Sequence, residues 1–155
     1  MQWVPDHRRL LPRLLDVLTP GGVLALQMPD NWEEPTHRLM RETAAEGPWA
    51  ETIGDTGAVR VKIAPVDGYY DILASVAAEV DVWRTVYHHP MPSAAAIVNW
   101  VRATGLRPFI DPLPEEQRAQ FLALYEKKIA AAYPLRANGK ALLAFRRLFV
   151  VARKS

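Results

Sequence analysis

The chain has 155 residues, enough for one domain with a hydrophobic core; half of them are hydrophobic and 23% are charged. This composition excludes a disordered chain, and a net charge of +2 is too small for a nucleic-acid-binding surface. The sequence has no cysteine, which excludes disulfides and thiolate catalysis, and it has no long apolar run or secretory start. We therefore expect a cytoplasmic protein without nucleic-acid or membrane partners.

The first segment predicts a helix, a tight turn and a strand. Asp6 is a suitable helix cap, and Pro12 should kink the helix or delay its regular part by a turn. Pro20-Gly21-Gly22 predicts a turn, because proline presets φ and glycine permits φ > 0. Val23 to Leu26 are uniformly apolar, which predicts a central strand covered on both faces of a parallel sheet. One side of the helix carries Leu10, Leu11, Leu14, Leu15 and Leu18.

The end of this strand is the first candidate site. Pro29-Asp30-Asn31 stops the strand abruptly, and open α/β sheets usually bind ligands outside the carboxyl ends of their strands. We therefore expect a site within residues 27 to 32, with Gln27 and Asn31 as polar candidates. Asp30 and Asn31 are also compatible with an Asx turn that has only a structural role.

The middle of the chain predicts two helices separated by a long loop. Pro35 occupies a favoured first helical position, and the helix should stop near Gly47. Residues 47–68 hold four of the eight glycines and predict a surface loop, with one short strand at 59–63. A short helix is expected over 69–78. The buried face of the first helix should carry Leu39, Met40, Thr43 and Ala44.

The next elements are a strand and a capped helix. Val80 to Tyr87 are rich in β-formers and predict a strand that His88-His89-Pro90 closes. Ser93 is a good cap for a helix that ends at Gly105. The buried face of this helix should carry Ile97, Trp100, Val101 and Thr104.

The last third predicts a long helix and a final strand. The helix runs from Pro114 to Pro134, and Asn138-Gly139 predicts a tight turn after it. Residues 141–152 then form the last strand. The order of elements is that of an α/β protein, but about three strands are too few for a complete doubly wound sheet, so the pattern predicts part of a fold.

Eight segments carry a family resemblance: Gln2–His7, Leu18–Gly22, Gln27–Trp32, Glu34–His37, Tyr70–Leu73, Val80–Thr85, Ala103–Pro108 and Arg147–Ala152. They resemble the trans-aconitate 2-methyltransferase family of Rossmann-like S-adenosylmethionine-dependent methyltransferases, and residues 47–66 match it least well. The resemblance implies the C-terminal part of that fold, with a mixed sheet, an antiparallel last strand and a helical insertion between the last two strands. It also implies methyl transfer from S-adenosylmethionine to a carboxylate of trans-aconitate or a similar small tricarboxylic acid.

The cofactor motifs of the family are missing from this sequence. Family members bind S-adenosylmethionine through a glycine-rich turn after their first strand and an acidic residue after their second. No two glycines here form a G-x-G pattern. We therefore expect no tight cofactor binding by this chain alone, and Trp3 is the remaining candidate for a cofactor contact.

The proposed chemistry needs cations and no general base, because the attacking carboxylate is already ionised. Arginine binds carboxylates best, through its bidentate fork. Arg84 on its strand and Arg107 just past a helix terminus are therefore the expected anchors for the substrate. Further candidates for hydrogen bonds or a lid are Tyr69, Tyr70, His88, His89 and Trp100; no catalytic residue and no metal ligand is expected.

Each candidate also has a purely structural interpretation. Arg84 is compatible with an edge-strand charge in solvent, and Trp100 with a place in the core. His88 and His89 would point to opposite faces of a strand, which favours a surface pair over a metal site. The tyrosine pair at 69 and 70 is compatible with a staple at a helix start.

Two expectations concern the molecule as a whole. We expect residues 1–155 to form a single domain, the C-terminal portion of a methyltransferase domain, whose exposed sheet edge could mediate self-association. The alternative function is that of a truncated, non-catalytic fragment or binding module without a cofactor.

Overall fold

A computed structural model describes residues 1, 3–57 and 62–155. The chain divides into two compact units: the first comprises Met1–Asp30, Val61–Val86 and Arg146–Ser155, and the second Asn31–Arg60 and Tyr87–Phe145. Whether the chain forms a single domain stays a prediction. The elements in chain order are α1 (His7–Asp16), β1 (Val23–Pro29), α2 (Pro35–Glu46), α3 (Ala50–Ile53), α4 (Val66–Ala74), β2 (Glu79–Met91), α5 (Ala94–Arg102), α6 (Arg107–Ile110), α7 (Glu115–Ala132) and β3 (Ala141–Arg153).

The three strands form one sheet in the order β1-β3-β2. β1 runs antiparallel to β3, with Val23 opposite Arg153 and Pro29 opposite Arg147. The start of β2 meets the end of β3, since the N–H of Ala78 donates to the carbonyl of Arg153, so this pair is antiparallel as well. The predicted α/β class, the antiparallel last strand and the helical insertion before it are thereby confirmed.

In the first unit, helices α1 and α4 cover one face of the sheet. Asp6 caps α1 as predicted, in the left-handed conformation, with its side chain accepting from the N–H of Arg9. Pro12 lies inside the helix without ending it. The core of this unit consists of Leu11, Leu15, Met28, Tyr69, Leu73, Leu148, Val150 and Ala152.

The expectation of a fully covered central strand at Val23 to Leu26 is wrong for β1. Its residues alternate between more exposed and more buried positions, because only the face toward α1 and α4 is covered. β1 also lies at an edge of the sheet, and its outer edge pairs with no strand in the part of the chain that the structure describes. Self-association at this edge stays a prediction.

The second unit is built on helices α2, α3, α5, α6 and α7. Helix α2 begins at Pro35 and ends before Gly47, and its predicted buried face is confirmed. Trp49, in the stretch predicted as a surface loop, is instead buried, and its indole N–H donates to the carbonyl of Thr43 at 2.7 Å. Trp49 is also the residue that directly precedes α3. The strand predicted at 59–63 falls mainly on residues outside the described ones.

The end of strand β2 differs from the sequence expectation. Strand β2 continues through His88, His89 and Pro90 to Met91 instead of closing at Tyr87. A proline fits there because β2 is an edge strand of the described sheet, where a missing N–H breaks no interior ladder.

Among the described residues, no helix is both long and apolar enough to cross a lipid bilayer.

Candidate functional site

Two of the predicted site residues line one depression in the first unit. Arg84 on β2 and Tyr70 on α4 border an open hollow of about 580 Å³. Tyr70 is 51% exposed, whereas its neighbour Tyr69 points into the core. The structure therefore separates the tyrosine pair: Tyr70 faces the hollow and Tyr69 does not. The remaining lining residues are Pro65, Val66, Asp67, Val80, Asp81 and Val82.

Arg84 already binds a carboxylate. Its Nε donates to Oδ2 of Asp30 at 2.7 Å, and the Asp30 side chain is only 16% exposed. The backbone N–H of Asp30 donates in turn to the carbonyl of Arg146 at 3.0 Å, which fixes the end of β1. A guanidinium has five N–H donors, and the bond to Asp30 uses the one on Nε, so the pair holds the guanidinium in place. Among the contacts of the described residues, its other donors stay open for a carboxylate ligand.

Tyr69 forms a buried polar contact in the core of the first unit. Its hydroxyl lies 2.6 Å from Nδ1 of His7 and donates to Sδ of Met28 at 3.6 Å. Burial, with a smaller contribution from the charge of Asp30, raises the pKa of Tyr69 to about 12, against an opposing bond from the backbone of Ala64. Tyr69 is therefore a neutral core residue at physiological pH and a poor candidate for a proton carrier.

The other predicted residues of the first unit lie elsewhere. Gln27 is opposite Phe149 in the sheet, on the face that α1 and α4 leave uncovered, and its Oε1 accepts from Nε of Arg147. Arg84 follows Trp83, whose ring stacks on Phe149, so Arg84 points to the other face. Gln27 and Arg84 are thus on opposite faces of the sheet. Trp3 is 60% exposed in the segment before α1.

In the second unit, Asn31 and Arg107 have contrasting surroundings. Asn31 is 2% exposed, and its carbonyl accepts from the N–H of Glu34 at 3.1 Å, so it belongs to the turn that begins α2. Arg107 lies at the start of α6 and binds Asp111 at 3.1 Å with most of its side chain in solvent. Trp32 at the end of the candidate segment lies under the guanidinium of Arg41, 4.1 Å from the ring centre.

Trp100 belongs to an aromatic cluster on the surface of the second unit. It is 47% exposed, so its interpretation as a core residue is wrong, and its ring centre lies 6.5 Å from that of Phe145. The imidazole of His89 lies 5.0 Å from the Trp100 ring and 6.0 Å from that of Phe145, while His88 is exposed. No group of three acidic, histidine or cysteine side chains capable of holding a metal ion occurs among the described residues.

A buried polar cluster at the start of α2 has no sign in the sequence. The hydroxyl of Tyr125 donates to the carbonyl of Thr36 at 2.9 Å, and the N–H of Thr36 donates to the hydroxyl of Tyr133 at 3.4 Å. The N-cap, Glu34, makes no side-chain capping bond, so Tyr133 satisfies a first-turn N–H instead. Burial raises the pKa of both tyrosines. The spacing of Tyr125 and Tyr133 predicts that both are buried. Their shared hydrogen-bond partner, Thr36, lies 89 and 97 residues earlier in the chain, so the sequence pattern does not predict the contact.

Comparison with known proteins gives matches along the whole chain. The trans-aconitate 2-methyltransferase of Paracidovorax citrulli is 63% identical over 155 residues, which are all of this chain and 60% of that protein. The proteins of the same name from Variovorax paradoxus and Yersinia pestis are 62% and 55% identical, over 99% and 98% of this chain. No protein-family model matches. The chain spans about three fifths of the length of these relatives.

Proposed function

We propose that this chain forms the C-terminal part of an enzyme of the trans-aconitate 2-methyltransferase family, because the relatives that match its whole length carry that name. The enzyme would transfer a methyl group from S-adenosylmethionine to a carboxylate of trans-aconitate or a similar small tricarboxylic acid. One observation carries this proposal: the identity of 63% extends over the entire chain, with no part left unmatched.

Arg84 supports the substrate class through its surroundings. A carboxylate that accepts a methyl group needs no base, whereas the other carboxylates of the acid need compensating positive charge once water is excluded. Arg84 presents a guanidinium oriented by Asp30, beside the phenol of Tyr70 in the same hollow. Arg107, in the second unit, stays a separate proposal for a substrate anchor. We assign these residues to binding and orientation, not to proton transfer.

The described residues do not fit the cofactor by themselves. The positive-φ glycines of the described chain are Gly21, Gly54 and Gly139, and none of them lies between the end of a strand and the start of a helix. The connection from β1 to α2 is Asp30–Glu34, which lacks glycine. We therefore derive no step of the reaction through S-adenosylmethionine, although Trp3 stays the proposed contact.

The proposal is tested with a chimera in which this chain replaces the matching three fifths of the P. citrulli protein. We expect the chimera to methylate trans-aconitate when S-adenosylmethionine is supplied, with the unaltered P. citrulli protein as the reference. Product is measured by mass spectrometry of the monomethyl ester. A chimera that folds, as judged by circular dichroism, but forms no ester from trans-aconitate or related tricarboxylates would overturn the proposal.

A further inference from the structure

A second hollow of the first unit lies beside the start of α4. It has a volume of about 430 Å³ and adjoins the hollow of Arg84 and Tyr70, because Pro65 lines both. All of its lining residues belong to the first unit. We call the two cavities the Arg84 hollow and the second hollow. The walls of the second hollow are apolar apart from four side chains, which are those of Asp6, His7, Arg8 and Lys62.

The Arg84 hollow offers little net positive charge to an anion. Asp30 binds Arg84 at 2.7 Å and balances its charge, and Asp67 and Asp81 line the same hollow. A small tricarboxylic acid carries up to three negative charges, and an unbalanced charge is costly once water is excluded. Arg84 can therefore orient one carboxylate, but the other carboxylates need positive charge from elsewhere.

Arg8 supplies such a charge in the second hollow. Its side chain is exposed, and its guanidinium has no hydrogen bond or ion pair with any described residue. Its N–H donors are therefore available to a carboxylate, which a guanidinium binds through two parallel bonds. Asp6 in the same lining is already engaged, because it caps α1 through the N–H of Arg9 and lies 3.8 Å from the Arg9 guanidinium.

The rest of the second hollow suits a small carbon skeleton. The imidazole of His7 is held in place, since its Nδ1 lies 2.6 Å from the hydroxyl of the buried Tyr69. Ile63 and Ile72 add apolar walls, and Lys62 adds a second cationic group to the lining. The arrangement of apolar walls with cationic groups at the rim is typical of sites for small organic anions.

We infer that Arg8 binds a second carboxylate of the acid whose first carboxylate is bound by Arg84. This inference rests on the proposed function, because it concerns the substrate class named there. The acid would lie across Pro65, with one carboxylate in each hollow. Arg8 would then select acids with several carboxylates, since an acid with a single carboxylate can occupy only one of the two anchors.

The test is a titration of this chain with trans-aconitate, followed by nuclear magnetic resonance. Backbone and arginine N–H signals of both hollows should shift with one shared Kd. Arg8→Gln should raise this Kd about tenfold or more, because a charge-assisted pair is lost, and Arg84→Met should raise it as well. Arg9→Gln is the matched control and should leave the Kd unchanged. Arg9 is the next residue, is also exposed and is absent from the described lining of both hollows.

Equal effects of Arg8→Gln and Arg9→Gln would overturn the inference, and so would the absence of a saturable shift with the unaltered chain. Separate Kd values for the two hollows would also overturn it, because two molecules of the acid would then bind independently. The chimera separates this inference from the proposed function. An active chimera whose KM is unchanged by Arg8→Gln would contradict the anchor alone. Binding with the expected variant pattern, but without ester formation by the chimera, would support the anchor and contradict the proposed function.

Discussion

At the scale of single residues, Arg84 and Arg153 form a natural comparison. Each lies on a strand of the first unit, is a little under half exposed and binds one carboxylate at 2.7 Å. They differ in place, since Arg84 borders the hollow with Tyr70 and Arg153 lies beside Glu79 at the end of β3. On this difference we propose Arg84 as a substrate anchor and treat Arg153 as a surface ion pair, whose contribution to stability is usually small.

We predict that Arg84→Met in the chimera raises the KM for trans-aconitate about 10- to 100-fold, the equivalent of ~1.5–3 kcal/mol for a charge-assisted hydrogen bond. Initial rates over a range of substrate concentrations give the KM. Arg153→Met serves as the control and should leave the KM within twofold; equal effects of Arg84→Met and Arg153→Met would reject Arg84 as an anchor.

Tyr69 gives a prediction about pH. Its pKa is raised to about 12 in the folded chain from an ordinary value near 10, so folding favours the protonated phenol. The resulting stability is fully present below pH 10 and is lost as the pH rises toward 12, by about 2–3 kcal/mol. Urea unfolding between pH 8.5 and 11.5 should show this loss. Tyr69→Phe should flatten it, whereas Tyr70→Phe, which alters an exposed ring on the same helix, should not.

At the scale of elements, the contact between α2 and α7 depends on two tyrosine hydroxyls. We predict that Tyr125→Phe lowers the free energy of unfolding by about 1 kcal/mol, because the bond to the Thr36 carbonyl is lost while the ring stays packed. Urea denaturation measures the change. Tyr87→Phe is the control, since this ring lies in the same unit and is 42% exposed. An equal loss of unfolding free energy in Tyr87→Phe would show that the buried hydrogen bond of Tyr125 contributes no more to stability than an exposed hydroxyl.

Local signals made most elements predictable from the sequence. Ser93 caps α5 by accepting from the N–H of Ala96, as expected, and Gly21 adopts the positive φ that its turn requires. Contacts between distant segments were not predictable in this way. Trp49 lies in a glycine-rich stretch that favours a loop, yet it packs against Phe121 with ring centres 5.3 Å apart. The position of Arg84 next to Tyr70 likewise depends on how α4 crosses the sheet, which periodicity does not determine.

At the scale of the whole molecule, the sequence lacks the cofactor motifs of the family and matches about three fifths of the length of its relatives. We propose that an active enzyme also needs the part of the relatives that this chain does not match. The acceptor anchors and the cofactor site would then be distributed between two parts of the family's sequence. Activity would require both.

This division predicts that the isolated chain binds S-adenosylmethionine no more tightly than millimolar. The sequence contains no G-x-G turn, and the described connection from β1 to α2 lacks the glycines that would let a backbone approach the ligand closely. Calorimetric titration measures the affinity of the chain alone, with the chimera as the positive control, for which we expect micromolar binding. Micromolar affinity in the chain alone would contradict the division, because the 155 residues would then contain a complete cofactor site despite lacking the motif that the family uses.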